Sequence, residues 1–160
     1  MKKLFVLVVV FLLAACGGIG GSSNLETFDN SKLKEELKEG AFQPRLPTNT
    51  PFKVTDTQVI HPPNQDTRLM IDFMSYGDNE KIKNTMGLVA VNGKNVESSM
   101  LEFEEVEIGE ITGQYAVNGA EAMILKWSED GISYSLTYYG KQSEKEVKKE
   151  ELIDTAESFE

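Results

Sequence analysis

The sequence predicts an α+β fold in which an antiparallel β-sheet carries a C-terminal helix packed on one face. Three observations point to it. Residues 52–139 break into seven short apolar runs separated by turn residues, and residues 150–159 repeat their apolar positions with a helical period. The connections between the runs are also too short to hold crossover helices, so neighbouring strands are antiparallel. A chain of 160 residues holds one such domain of ordinary size and not two.

The first element is a leader. Met1, Lys2 and Lys3 form a basic start, and Leu4 to Ala15 are apolar or small. Twelve helical residues span about 18 Å against a hydrocarbon layer of about 30 Å, so residues 1–15 read as a signal peptide and not as a membrane span. Leu13, Ala14, Ala15 and Cys16 read LAAC, which resembles a bacterial lipobox. In that pattern the cysteine thiol receives a diacylglycerol before cleavage just upstream. The alternatives are an ordinary signal peptide or a free buried cysteine. Cys16 is the single cysteine of the chain, so no disulfide can form within it and stability has to come from packing. The lipobox resemblance implies a mature protein that begins at Cys16 and sits on the extracytoplasmic side of the cell membrane, with membrane lipid as a partner through the acylated cysteine. Gly17 supplies no aspartate-type retention signal, so the choice of membrane in a two-membrane cell stays open.

Residues 16–40 come next, comprising the acylated cysteine, a tether and a short helix. Residues 17–24, GGIGGSSN, contain four glycines and two serines, a composition that loses too much backbone entropy to order alone and reads as a flexible spacer. It lacks the spacing of a phosphate-binding loop. Residues 31–39, SKLKEELKE, form a helix candidate with Ser31 as N-cap, Leu33 and Leu37 on one face, a Lys32–Glu36 pair and Gly40 as the stop. At this length it needs a surface to dock on.

The globular domain is assigned to residues 41–160. Pro44, Pro47 and Pro51 make a stiff lead into strands at 52–60, 67–76, 82–91, 96–108, 110–117, 122–128 and 132–139. The last hairpin can be read in register. A two-residue type I′ turn at Asp130 and Gly131 pairs Trp127 with Tyr134, Leu125 with Leu136 and Met123 with Tyr138, placing all six on one apolar face. A three-residue turn at Asn118 to Ala120 adds Val117, Tyr115 and Ile111 to that face. The switch of apolar parity between Phe103 and Val106 predicts a bulge near Glu104 and Glu105. At the end of the chain Ser143 and Glu146 suggest a capping box, and Leu152, Ile153, Ala156 and Phe159 form a stripe that the aromatic sheet face can bury.

Two segments carry a resemblance to a known family. Residues 125–136, LKWSEDGISYSL, followed by a polar spacer and residues 150–159, EELIDTAESF, resemble the C-terminal signature of bacterial lipoproteins and sporulation-related envelope proteins with the domain of unknown function 4367. Residues 45–54, RLPTNTPFKV, are similar to that family's start. The resemblance covers residues 41–160, with the closing segment its specific part. It implies a curved antiparallel sheet with helices on one face, of the kind seen in periplasmic lipoprotein carriers, and it brings no established catalytic residues.

The residues that could carry chemistry have bland readings. His61 is the single histidine and lies beside Pro62 and Pro63, with no second histidine or cysteine to complete a zinc site. No serine lies in G-x-S-x-G. Glu102, Glu104, Glu105 and Glu107 read as a solvated strand face, with divalent-cation binding or acid–base work on a glycan as alternatives. Asp78 and Glu80 lack the spacing of a calcium loop. No cofactor or metal is expected.

Charge narrows the partners. Without Lys2 and Lys3, 14 basic side chains face 26 acidic ones, a net of −12, which argues against nucleic acid. The function expected is that of a non-enzymatic, membrane-anchored surface lipoprotein that binds or senses an envelope component, either a protein or an amphiphile. One alternative is a carrier or chaperone for a lipidic ligand, with Trp127, Tyr134 and Leu125 lining a cavity under the helix instead of forming core. An envelope-remodelling enzyme is the other.

Overall fold

A computed structural model of the chain describes residues 24–94 and 100–160. The leader, Cys16 and the spacer through residue 23 lie outside the described residues, as do residues 95–99, which include the first four of the strand predicted at 96–108. The elements are β1 (Glu26–Thr27), α1 (Ser31–Leu37), β2 (Asn49–Thr50), β3 (Asp56–Ile60), β4 (Arg68–Tyr76), β5 (Ile82–Asn92), β6 (Glu104–Ile108), β7 (Ile111–Val117), β8 (Ala122–Glu129), β9 (Ile132–Tyr139) and α2 (Lys149–Glu157). Strands β3 to β9 form one seven-stranded antiparallel sheet in the order β3-β4-β5-β9-β8-β7-β6, and β1 pairs with β2 beside it.

The register follows from side-chain alternation. Along β9, Tyr134, Leu136 and Tyr138 face the core while Ser133, Ser135 and Thr137 point the other way. The turn before it is of the predicted type. Asp130 and Gly131 have φ of 51° and 80°, and the pairs Trp127–Tyr134, Leu125–Leu136 and Met123–Tyr138 form as expected. The apolar sheet face is then covered by α1, the segment containing β2, and α2. Leu33, Leu37, Leu46, Phe52, Leu152 and Phe159 are buried against it. Helix α1 therefore docks on the same core as the sheet, as a helix of that length requires.

The covering layer is sewn together by backbone pairing at the chain's end. Leu46 and Glu160 exchange N–H to carbonyl bonds, and Thr48 N–H donates to Ser158 O. Lys145 Nζ ties three pieces by donating to the Asn24 and Pro51 carbonyls and pairing with the buried Glu151 carboxylate at 3.3 Å.

Several expected boundaries are corrected. Strand β3 starts at Asp56 and not at Phe52, because Phe52 is spent as a core plug and its carbonyl accepts from Thr50 Oγ1. The β7–β8 loop is two residues longer than expected and pairs Val117 with Met123; the Asn118 carboxamide accepts N–H bonds from Ala120 and Ala122, and Glu121 takes a φ of 58°. Because the shift is even, Tyr115 and Ile111 keep the predicted face, whereas Val117 at the end of the strand is exposed instead of joining the apolar face. No bulge forms at Glu104–Glu105: β6 pairs regularly from its first residue, and the parity change marks where the strand begins.

Ser143 is not the cap of the last helix. Residues 143–145 lie along the start of β5 instead, with Ser143 Oγ accepting from Thr85 N–H, Glu144 N–H donating to Lys83 O and Lys145 N–H donating to Asn84 Oδ1. Helix α2 begins at Lys149, after the Glu151 carboxylate has accepted the Lys148 N–H at 2.9 Å. Similarly, α1 is preceded by Asn30, and Asp29 accepts both the N–H and the hydroxyl of Ser31.

Candidate functional site: the open face of the sheet

With one face buried, the alternate residues of the same strands form a second face. Cross-strand pairing aligns them in rows. Gln58, Asp72, Gly87, Thr137, Ile124 and Ala116 make one row across six strands. Met70, Val89, Ser135, Lys126, Gln114 and Glu105 make the next. No helix of the described residues covers these rows.

At the centre lies a carboxylate among apolar neighbours. Asp72 follows and precedes Met70 and Met74 on the same face of β4, and it opposes Gly87 on β5. Burial pushes its carboxyl above the usual value, and no neighbouring charge contributes. Tyr139, from β9, leans over Gly87 from the other side. A methyl group in place of the Gly87 hydrogen would sit 3.1 Å from Tyr139 Oη and 3.3 Å from Asp72 Oδ1. The close approach of both groups to one backbone position explains a glycine in a central strand. The Tyr139 phenol is held up first by burial and then by the Asp72 charge. Neither oxygen makes a hydrogen bond or ion pair among the described residues.

Towards β6 the same face dips into a groove of about 410 Å³, whose polar lining includes Glu105, Thr112, Gln114, Lys126, Ser128 and Ser133. The Lys126 ammonium lies 4.8 Å from the centre of the Phe103 ring, so the segment leading into β6 ends on this side of the sheet. Ser128 and Ser133 share a hydrogen bond of 3.2 Å, and Ser133 also donates to Gly93 O. Glu105, Thr112 and Gln114 hold no side-chain hydrogen bond among the described residues. The groove can therefore hydrogen-bond a ligand from several sides, but it assembles no nucleophile with a base.

A family model described as a domain of unknown function (DUF4367) matches residues 58–158. The chain belongs to this family. The DUF4367 match runs from within β3 to just past α2, so it contains the sheet, its open face and the last helix. No curated protein and no solved structure matches the chain.

The sequence-predicted residues of this DUF4367 protein fall elsewhere. Trp127, Tyr134 and Leu125 are on the covered face, at 5%, 3% and 0% exposure. Trp127 stacks on Tyr134 at 5.0 Å and meets Phe159 edge-on at 5.1 Å, so the three pack as core in this structure. Burial raises the Tyr134 phenol above its ordinary value, and its hydroxyl accepts the Arg45 N–H. Cys16 lies outside the described residues. His61 is exposed in its turn. Of the acidic run, Glu105 and Glu107 point to the open face, whereas Glu104 turns to the helix side and pairs with Lys149 at 2.8 Å. Among the described residues no group of three acidic, histidine or cysteine side chains could hold a metal ion, and no helix is long and apolar enough to cross a membrane.

Sequence reasoning missed Asp72, Gly87 and Tyr139. The signal was present as a charge inside LMIDFM and a glycine inside MGLVA. Seeing that the two oppose one another needed the β4–β5 register.

Proposed function

We propose that this protein is an exported, non-enzymatic lipoprotein, anchored through Cys16 on the extracytoplasmic side of the cell membrane, that binds or senses an envelope component with the open face of its sheet. One observation carries the reading. The sheet is sealed on one side, and on the other it presents a carboxylate, a phenol, an amide and a hydroxyl that have no side-chain hydrogen-bond partner among the described residues, beside a groove. These groups reach solvent, and a ligand that matches several of them at once would exchange their water contacts for its own. The tether supports the same reading, because it holds such a face close to the lipid without immersing it. The sheet's curvature, which the family resemblance implies, would deepen the face. A carrier of lipidic ligands under the helix is the weaker reading, since Trp127, Tyr134 and Phe159 fill that space.

The test combines two measurements in cells. Mass spectrometry of the mature N-terminus is expected to find a diacylglyceryl cysteine at position 16 and to lose it in Cys16→Ser. Photo-crosslinkers placed at Gln114 and Val89 are expected to capture an envelope component, while one at Ile153 on the covered side does not. An unmodified N-terminus elsewhere overturns the anchor. Turnover of a cell-wall glycan or peptide, abolished by one substitution, overturns the non-enzymatic reading.

A further inference from the structure

Two oxygens of the open face converge on one spot. Asp72 Oδ1 reaches from β4 and Tyr139 Oη from β9, and both stand within 3.3 Å of the position that a side chain at Gly87 would occupy. Neither has a hydrogen-bond partner among the described residues. Tyr139 by itself could be explained as a ring packed over a glycine to complete the sheet. Asp72 is not explained in this way. A carboxylate between two methionines is partly stripped of water, and the nearest aligned groups across the strands, Gln58 and Gly87, bring no positive charge. A ligand that brings one would form a charge-assisted hydrogen bond to the carboxylate and place its cation beside the Tyr139 ring.

Beside this notch an apolar pair interrupts a largely polar face. Met70 and Val89 lie one row away, and Ile124 lies in the same row beyond Thr137. Methionine side chains adapt to a flexible hydrocarbon, so a chain leaving the notch finds a track to lie on. We propose that the Asp72–Gly87–Tyr139 notch binds the primary ammonium of an amphiphile, whose hydrocarbon chain runs along the Met70–Val89 pair. This rests on the open-face reading above and names its ligand class. The occupant is assigned to a lipid-like amphiphile and not to a lysine side chain because the carboxylate is flanked by Met70 and Met74 on its own strand and Met70 is paired with Val89, an apolar surface that a hydrocarbon chain can cover and a peptide backbone cannot.

The experiment is an NMR titration of the full chain carrying Cys16→Ser, so that no acyl chain competes. The signals followed are the Asp72 side-chain carboxyl and the Gly87 amide. Dodecylammonium, dodecyl maltoside, dodecyl sulfate and N-acetyl-lysine methylamide are added below their micellar concentrations. Dodecylammonium is expected to move both signals saturably. Asp72→Asn should weaken it roughly ten- to a hundredfold, the loss expected for one charged hydrogen bond. Tyr139→Phe, which keeps the ring over Gly87, should weaken it less. Equal affinity in Asp72→Asn overturns the proposal, and so does a titration that leaves the Gly87 amide unmoved. N-acetyl-lysine methylamide binding as tightly as dodecylammonium overturns the assignment to an amphiphile. Dodecyl maltoside moving the open-face signals equally in both proteins, with no preference for the ammonium, overturns the ammonium site while the open-face reading stands. Failure of that reading shows separately, as the absence of cellular crosslinks from Gln114 and Val89.

Discussion

The two faces of the sheet are built from the same seven strands, yet they answer to different physics. On the covered face the alternate residues are large and apolar. Phe73, Met86, Leu88, Leu125, Leu136 and Tyr138 are all at or below 1% exposure, and the ring contacts of Trp127 and Tyr134 with Phe159 lock the end of the chain onto them. On the alternate positions of the same strands the side chains become Asp72, Gly87, Ser135, Thr137 and Lys126, and several have no hydrogen-bond partner among the described residues. Strand periodicity thus separates a packed face from an open one residue by residue. A substitution on one face tests the fold, and its sequence neighbour tests the surface.

The largest effect should come from removing the cover. Deleting residues 150–160 takes away Leu152, Ala156 and Phe159 together with the Leu46–Glu160 pairing, and should abolish cooperative urea unfolding, since a domain this size has only about 5–15 kcal/mol in total. Trp127→Ala should cost about 3–5 kcal/mol in the same assay. Leu33→Ala should cost about 2–4 kcal/mol, because α1 shares the core; a cost near zero would detach α1 from the domain. A Trp127 variant that kept its stability would erase the contrast between the faces.

A change on the open face should have the opposite sign. Asp72→Asn should stabilise the protein modestly at neutral pH, by less than about 1 kcal/mol given solvent screening, because a partly buried carboxylate without a partner among the described residues is replaced by a neutral amide. The pH dependence follows from the raised native value. The folded carboxyl holds its proton to higher pH than the unfolded one, whose value is 3.8, so its stabilising contribution is complete below 3.8 and is lost as the pH rises through the native value. Urea midpoints measured across that window should fall with pH in the wild type relative to Asp72→Asn. The smallest effect is expected for Glu104→Gln with Glu105→Gln. Glu104 pairs with Lys149 in the open and Glu105 faces solvent, so the double variant should shift stability by little more than about 0.5 kcal/mol.

How much of this was legible before folding differs between the faces. The covered face was readable because period-2 alternation and the Asp130–Gly131 turn together set the register of the last hairpin, and with it the positions of Trp127, Tyr134 and Leu125. Turn chemistry was less transparent at Asn118, where a side chain that caps two backbone N–H groups lengthened the loop. The start of α2 was hidden for another reason: Ser143 has the right residue type for a cap, but its hydroxyl is claimed by Thr85 across the sheet. The Asp72 notch depends on three strands, β4, β5 and β9, that are distant in sequence. Only their pairing brings a carboxylate, a glycine and a phenol together.

Trp127 fluorescence provides the most direct test of the division between the faces. It should be followed during the dodecylammonium titration that moves the Gly87 amide, with acrylamide quenching measured before and after saturation. Because Trp127 is sealed between Tyr134 and Phe159 on the far side of the sheet, its emission and its low quenching should stay constant while the open-face signals saturate. An emission shift or a change in quenching that tracked binding would contradict this account, for it would place the ligand under the helix on the face assigned to the core.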